Sequence, residues 1–499
     1  MSIAGAVMMP HPPLIIPQVG RGQEKGIVST VAAMETAARF MAELTPETIV
    51  VISPHATAYV DYIHISPGTG AAGSFARFGA PQVRIEADYD DEFVRALSAL
   101  CALRGLAAGT DGEREPALDH GTMIPLYFIQ KAIKEEQLKL AQQHKDKVRF
   151  EETTPPENAK HAGEPEQPET IPQPMVVRIG ISGLPTEDHY RLGMLIRQTA
   201  DELDRRVAIA ASGDLSHKLK ADGPYGLSPE GKVYDVKIMA AMGSGAFGAL
   251  FDFPQSLCTS AAECGHRSFV MMAGAFDGVQ VQAEKLSYEG PFGVGYGVCT
   301  FRAGKADPAR CFLVAHRQEV RQKVTDMQKN EDPYVRLARQ SFTAWVMRRE
   351  HIAAPVETPP ELLTRRAGVF VSLHKAGQLR GCIGTISPTQ KNIAEEIIQN
   401  AISACAQDPR FSPVRPAELP EIECSVDVLG GAEDIASMAE LDPQRYGVIV
   451  TSGRKRGLLL PALDGVDTAR EQIAIARRKA GISADEKISL QRFEVVRHH

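Results

Sequence analysis

Three short apolar runs in this chain each stop at a turn and deliver a histidine. Val7-Met8-Met9 runs into Pro10-His11, and Thr48-Ile49-Val50-Val51-Ile52-Ser53 runs into Pro54-His55. Val207-Ala208-Ile209-Ala210-Ala211-Ser212 runs into Gly213-Asp214-Leu215-Ser216-His217. Apolar stretches this short, rich in β-branched residues and bounded by glycine or proline, read as strands covered on both faces, the habit of a parallel sheet. Between the first two runs, residues 24–43 carry helical spacing through Ile27, Val31, Met34, Ala38 and Met41. Strand, helix and strand in that order form a βαβ unit, which is right-handed and parallel.

The alternation continues, with helices expected at 89–104, 119–134, 186–203, 229–241 and 262–275 and strands at 175–182, 278–287 and 293–302. The fold class this predicts is α/β, with a mostly parallel central sheet flanked by helices. Residues 136–174, rich in Lys, Glu, Gln and Pro, read as a solvated and partly disordered insertion. The first domain is expected to span 1–305, with a polar linker at 306–329. A second, smaller α+β domain at 330–499 follows, with helices near 333–347, 392–405 and 467–479 and strands near 367–373, 421–429 and 446–451. A chain of 499 residues is too long for one ordinary core, which suits this division.

A formal charge of −7 supplies no basic stripe for a nucleic acid or an acidic membrane surface, so neither is expected as a partner. No stretch is long and apolar enough to cross a bilayer, and proline breaks the opening residues too early for a signal peptide. Eight scattered cysteines without a CxxC pair argue against a disulfide framework or a thiolate zinc site and place the chain in a reducing cytoplasm. An oligomer is compatible with this composition.

Ligands of open α/β sheets bind beyond the carboxyl ends of the strands. His11 and His55 both stand at that edge, and strands about 4.8 Å apart can bring two such side chains to one ion. His217 arrives at the same edge. His120, in Asp119-His120-Gly121-Thr122, opens a helix with Asp119 as its N-cap, where an imidazole is biased towards the neutral form of a general base. Two imidazoles and a carboxylate complete the facial set that binds Fe(II) and leaves positions open. Glu263, in Ala262-Glu263-Cys264-Gly265-His266-Arg267, is the expected carboxylate. Glu263 and His266 also form an E-x-x-H pair, but the chain has no second one, so a di-iron bundle is not expected.

The ordered set HPP at His11, SPHA at His55, DHG at His120, SGDLSH at His217 and the Glu263 segment resembles the LigB-type class III extradiol ring-cleavage dioxygenase superfamily, including its Memo branch. The resemblance implies metal ligands at His11, His55 and Glu263, and acid–base roles for His217 and His120. It also implies Fe(2+) as cofactor, with a catechol-like or other small diol and O2 as substrates. The Cys264-Gly265-His266-Arg267 run looks like the Memo proteins, in which a cysteine approaches the corresponding place.

In the second half, Leu379-Arg380-Gly381-Cys382-Ile383-Gly384 and Ala404-Cys405-Ala406-Gln407-Asp408-Pro409-Arg410-Phe411 closely resemble the AMMECR1 family. Arg380 with Cys382 is either an anion or thiol site or else a structural turn or protein-contact surface. The fusion of the two units resembles the AmmeMemoRadiSam systems and implies a radical SAM protein as partner. The expected function is therefore an Fe(II)-dependent oxygenase. The alternatives are a Memo-like metal-binding protein of different chemistry and a protein-binding scaffold.

Overall fold

The computed structural model describes residues 2–153, 173–375, 377–463 and 465–499, which form two compact units, 1–316 and 317–499. The first unit is built on a six-stranded sheet: β1 (Ile3–Met9), β2 (Thr48–Ile52), β3 (Met175–Ile179), β4 (Val207–Ser212), β5 (Val279–Glu289) and β6 (Tyr296–Ala306). Its spatial order is β3-β2-β4-β1-β6-β5. The first four of these are mutually parallel, and β6 and β5 add an antiparallel edge.

Every residue of β2 and β4 is buried, because each has a strand on both sides and helices over both faces. β2 sends Val50 and Ile52 into one core and Ile49 and Val51 into the other, and β1 divides Ala6 and Met8 from Val7 and Met9 in the same way. One core is closed by the helices Asp91–Leu103, Thr186–Glu202, Pro229–Ser244 and His266–Ala275. The other is closed by Val28–Glu43 and the start of His120–Thr153. The registers Met9↔Ser212 and Ile52↔Ala211 align the carboxyl ends of β1, β2 and β4, so the turns carrying His11, His55 and His217 leave one edge.

Two sequence expectations change here. The helix from His120 continues to Thr153, well into the stretch read as a solvated insertion; residues 154–172 lie outside the described residues. The helix expected from 262 begins only at His266, leaving Ala262, Glu263 and Cys264 in a turn with Ala262 in the left-handed region. An antiparallel hairpin, Gly70–Phe75 with Ala80–Asp88, was not anticipated.

In the second unit the antiparallel order is Gln378–Gly384, Val369–Lys375, Ile422–Leu429, Ser489–His498, Tyr446–Ser452 and Lys455–Leu459, with Glu433–Ile435 also pairing Ser489–His498. The helices Pro333–Arg348 and Ile393–Ala406 pack on it around Val335, Phe342, Ile397 and Val371. The segment expected as a linker contains the helix Phe312–Asn330.

Candidate metal centre

His11 follows β1 and is 2% exposed. Its backbone N–H donates to Asp214 Oδ1 (2.8 Å), and its Nδ1 lies 2.8 Å from Ser212 Oγ at the end of β4. With Nδ1 engaged, Nε2 faces His55 Nε2 at 3.0 Å and Cys264 Sγ at 3.5 Å. The ligand atoms of His11, His55 and Cys264 all lie within 4.8 Å of one another. Nitrogens about 2.0–2.1 Å and a sulfur about 2.3 Å from one ion would be separated by comparable spans. The three donors therefore fit a single metal.

Two close approaches make this convergence. A Cβ on Gly213 would stand 2.1 Å from Gly265 Cα, so glycine lets the turn after β4 touch the turn carrying Cys264. The Asp214 N–H then donates to Cys264 Sγ (3.3 Å). A Cβ on Gly121 would meet Ser53 Oγ at 2.5 Å and His55 Cδ2 at 3.2 Å, so the first turn of the long helix presses directly on the His55 loop.

Glu263 is not brought to this cluster. Its Oε2 accepts the His266 N–H at 2.6 Å, capping the helix that begins there, and Tyr234 and Arg267 lie beside the carboxyl. Successive residues in the turn send their side chains to opposite sides, and Cys264 is the one facing His11. Of the two candidate third donors, the turn thus brings Cys264 to the histidines and turns Glu263 towards the start of the helix. His120 lies against His55 with ring centroids 4.2 Å apart and the rings tilted by 32°, and it meets His11 and Phe78 edge-on, each at 5.4 Å. His217 stacks on Tyr225, and its buried Nε2 has no hydrogen-bond partner among the described residues.

Burial dominates the electrostatics. It lowers His11 well below the usual imidazole range, helped by His55, and lowers His55 and His217 against the opposing pull of Asp214. Burial with His55 and His11 pushes His120 down to about 3. At neutral pH all four imidazoles therefore keep a lone pair, available to a metal or a proton. Desolvation, with Asp214 and Glu263 adding, pushes the Cys264 thiol well up, so it becomes a thiolate only with a cation beside it.

Two residues that sequence reasoning missed belong to this region. Asp214 is raised to about 6 by burial, partly offset by the His11 N–H, His217 and His55. Its signal was a carboxylate two residues past a strand end. Arg178 is wholly buried within β3, and its signal was a charge inside an apolar strand.

In the second unit Arg380 is tied into the fold. Its guanidinium binds Glu418 Oε1 (2.9 Å) and the Ser412 carbonyl (2.8 Å). The Cys382 N–H donates to Asp408 Oδ2 (2.9 Å), and Arg410 pairs with the same carboxylate.

A doubly covered, largely parallel sheet with a two-imidazole, one-thiol cluster at its carboxyl edge defines an α/β protein whose donor atoms could hold one metal ion. The chain belongs to the family described as the catalytic LigB subunit of aromatic ring-opening dioxygenase, which matches residues 5–147 and 169–299. Residues 335–498 match the AMMECR1 family. The chain is 38% identical over 516 residues to protein CA_C1420 of Clostridium acetobutylicum, a match spanning all of this chain and 99% of that one. A Thermotoga maritima protein is 50% identical over 170 residues, covering 34% of this chain and 98% of its own length. The solved structure of protein PH0010 from Pyrococcus horikoshii is 32% identical with a TM-score of 0.31, covering 33% of this chain and 88% of that one.

Proposed function

We propose that the N-terminal unit is a mononuclear metal enzyme that holds Fe(II) through His11, His55 and Cys264 and oxidises a small catechol-like or other diol substrate with O2. The observation carrying this reading is the convergence of those three donor atoms at the sheet edge. The ion, when bound, supplies the redox chemistry between diol and O2 that no side chain can perform. The chain itself supplies proton handling. His217, neutral at pH 7, can take a hydroxyl proton from the diol and return it to the product, and His120, held at about 3 and so the weaker base, lies beside the ligands as a second proton-handling residue. Among the described residues the buried His217 Nε2 has no hydrogen-bond partner, which leaves it available to a substrate hydroxyl. Phe78 and Tyr225, packed on the two histidines, offer aromatic faces to a flat substrate. Eight free thiols support a reducing, cytoplasmic home.

Cys264 itself favours a second reading. A thiolate in place of the facial carboxylate makes a softer, more oxidisable donor set. That set suits a metal enzyme of other chemistry, and the AMMECR1 unit in the same chain supports a radical SAM protein as its partner.

Anaerobic iron loading of the full chain, then oxygen uptake against a catechol panel, tests both. The first reading expects one iron per chain, lost in His11→Ala and His55→Ala, and oxygen uptake with a ring-opened product. Iron retained with every catechol inert rejects ring opening and favours the second.

A further inference from the structure

Arg178 has no exposed side-chain surface, although a buried guanidinium is costly unless its donors are matched. Its Nε and Nη2 donate to Asp119 Oδ2 at 3.2 and 3.0 Å, and its Nη1 donates to the Glu115 carbonyl at 3.1 Å. Asp119 spends its remaining capacity on either side of the metal centre. Its Oδ1 accepts from the Thr122 N–H at 2.9 Å, in the helix turn that carries His120. The same oxygen accepts from Ser53 Oγ at 2.6 Å, and Ser53 Oγ in turn accepts the His55 N–H at 3.2 Å. One carboxylate therefore joins the end of β2, the start of the long helix and an arginine from β3, which pairs with β2 in the register Val51↔Arg178.

We propose that the buried Arg178–Asp119 pair, acting through Ser53, is a positioning clamp that sets the His55 ring relative to His120 and thereby tunes the metal centre. This rests on the metal reading of the cluster. None of the three residues touches the ion; they act on a ligand loop and on the residue lying against it. Partners that orient ligating histidines are worth about 10–100-fold in metal affinity. A pair serving stability alone could be weakened without changing the ligand field.

The test is Co(II) titration of the metal-free full chain, following affinity and visible d–d bands with far-UV circular dichroism as the fold check. Ser53→Ala, Asp119→Asn and Arg178→Lys are expected to bind Co(II) about tenfold more weakly or worse, with shifted d–d bands. Arg205→Lys, at the separate Arg205–Asp90 pair (2.8 Å) of the same unit, should keep the wild-type spectrum. Ser53→Ala removes one hydroxyl and leaves the ion pair whole, so it decides the matter if the charged-pair variants do not fold. Wild-type affinity and bands in folded Ser53→Ala overturn the clamp while leaving the metal reading standing. Failure of the wild-type chain to bind Co(II) overturns both.

Discussion

Glu263 and Cys264 are neighbours in one turn, yet their side chains serve different ends. Because desolvation holds the Cys264 thiol well above its ordinary value, metal binding must expel its proton. Apparent metal affinity should therefore rise with pH, approaching about tenfold per unit while the free thiol stays protonated. Cys264→Ser should bind more weakly and flatten that slope in metal-competition titrations. Glu263 makes the opposite prediction. Burial raises its carboxyl to about 7, above the ordinary carboxylate range, although the His266 N–H, Arg267 and Tyr234 pull it down. In the metal-free protein its contribution is therefore fully present below the unfolded pKa and is lost as pH rises through about 7. Glu263→Gln should match the wild type near pH 4 and exceed it at pH 8 by about 1–2 kcal/mol in denaturant titrations. It should also retain the metal, which an essential ligand could not.

Among the elements, the two family motifs of the second unit are one hydrogen-bonded piece. Asp408, just after the helix Ile393–Ala406, accepts from the Cys382 N–H in the neighbouring strand and from the Arg410 guanidinium. Arg410, then the Cys382 and Arg410 N–H groups, hold its carboxyl at about 2 against the cost of burial. A depressed carboxylate contributes stability above its unfolded pKa, near 4, and loses it as pH falls through about 2. Asp408→Asn should cost about 1–2 kcal/mol at pH 7, with the gap to the wild type closing as pH drops from 4 towards 2.

Elements were legible where burial is uniform. β2 and β4 are buried throughout and almost wholly apolar because they are central, and the histidines past their ends followed from that. The hairpin strand Ala80–Asp88 also alternates, with Val83, Ile85 and Ala87 inward, but small residues in its partner Gly70–Phe75 hid the pairing. Which member of the Glu263–Cys264 pair faces His11 was not legible. It depends on a turn geometry, Ala262 in the left-handed region, that no periodicity reports. Gly213 was visible as a turn residue and Gly265 fell within the expected helix 262–275, and their mutual contact is a long-range fact.

At the scale of the whole molecule, the proposed metal and its chemistry belong to residues 1–316. A metal bound only by the folded site would stabilise it by mass action, by about 2.7 kcal/mol at a free concentration a hundred times the Kd. Hydrogen exchange of the full chain should gain metal-dependent protection around residues 9–12, 52–56, 119–123 and 212–217, while the AMMECR1 unit exchanges as before. Protection gained equally across 317–499 would contradict that assignment. The most direct test of the central claim is X-ray absorption at the iron edge of the anaerobically loaded full chain, alongside Cys264→Ser. The account predicts imidazole nitrogens and one sulfur at about 2.3 Å, with the sulfur absent from the variant. A first shell of nitrogen and oxygen alone, unchanged by Cys264→Ser, would contradict it.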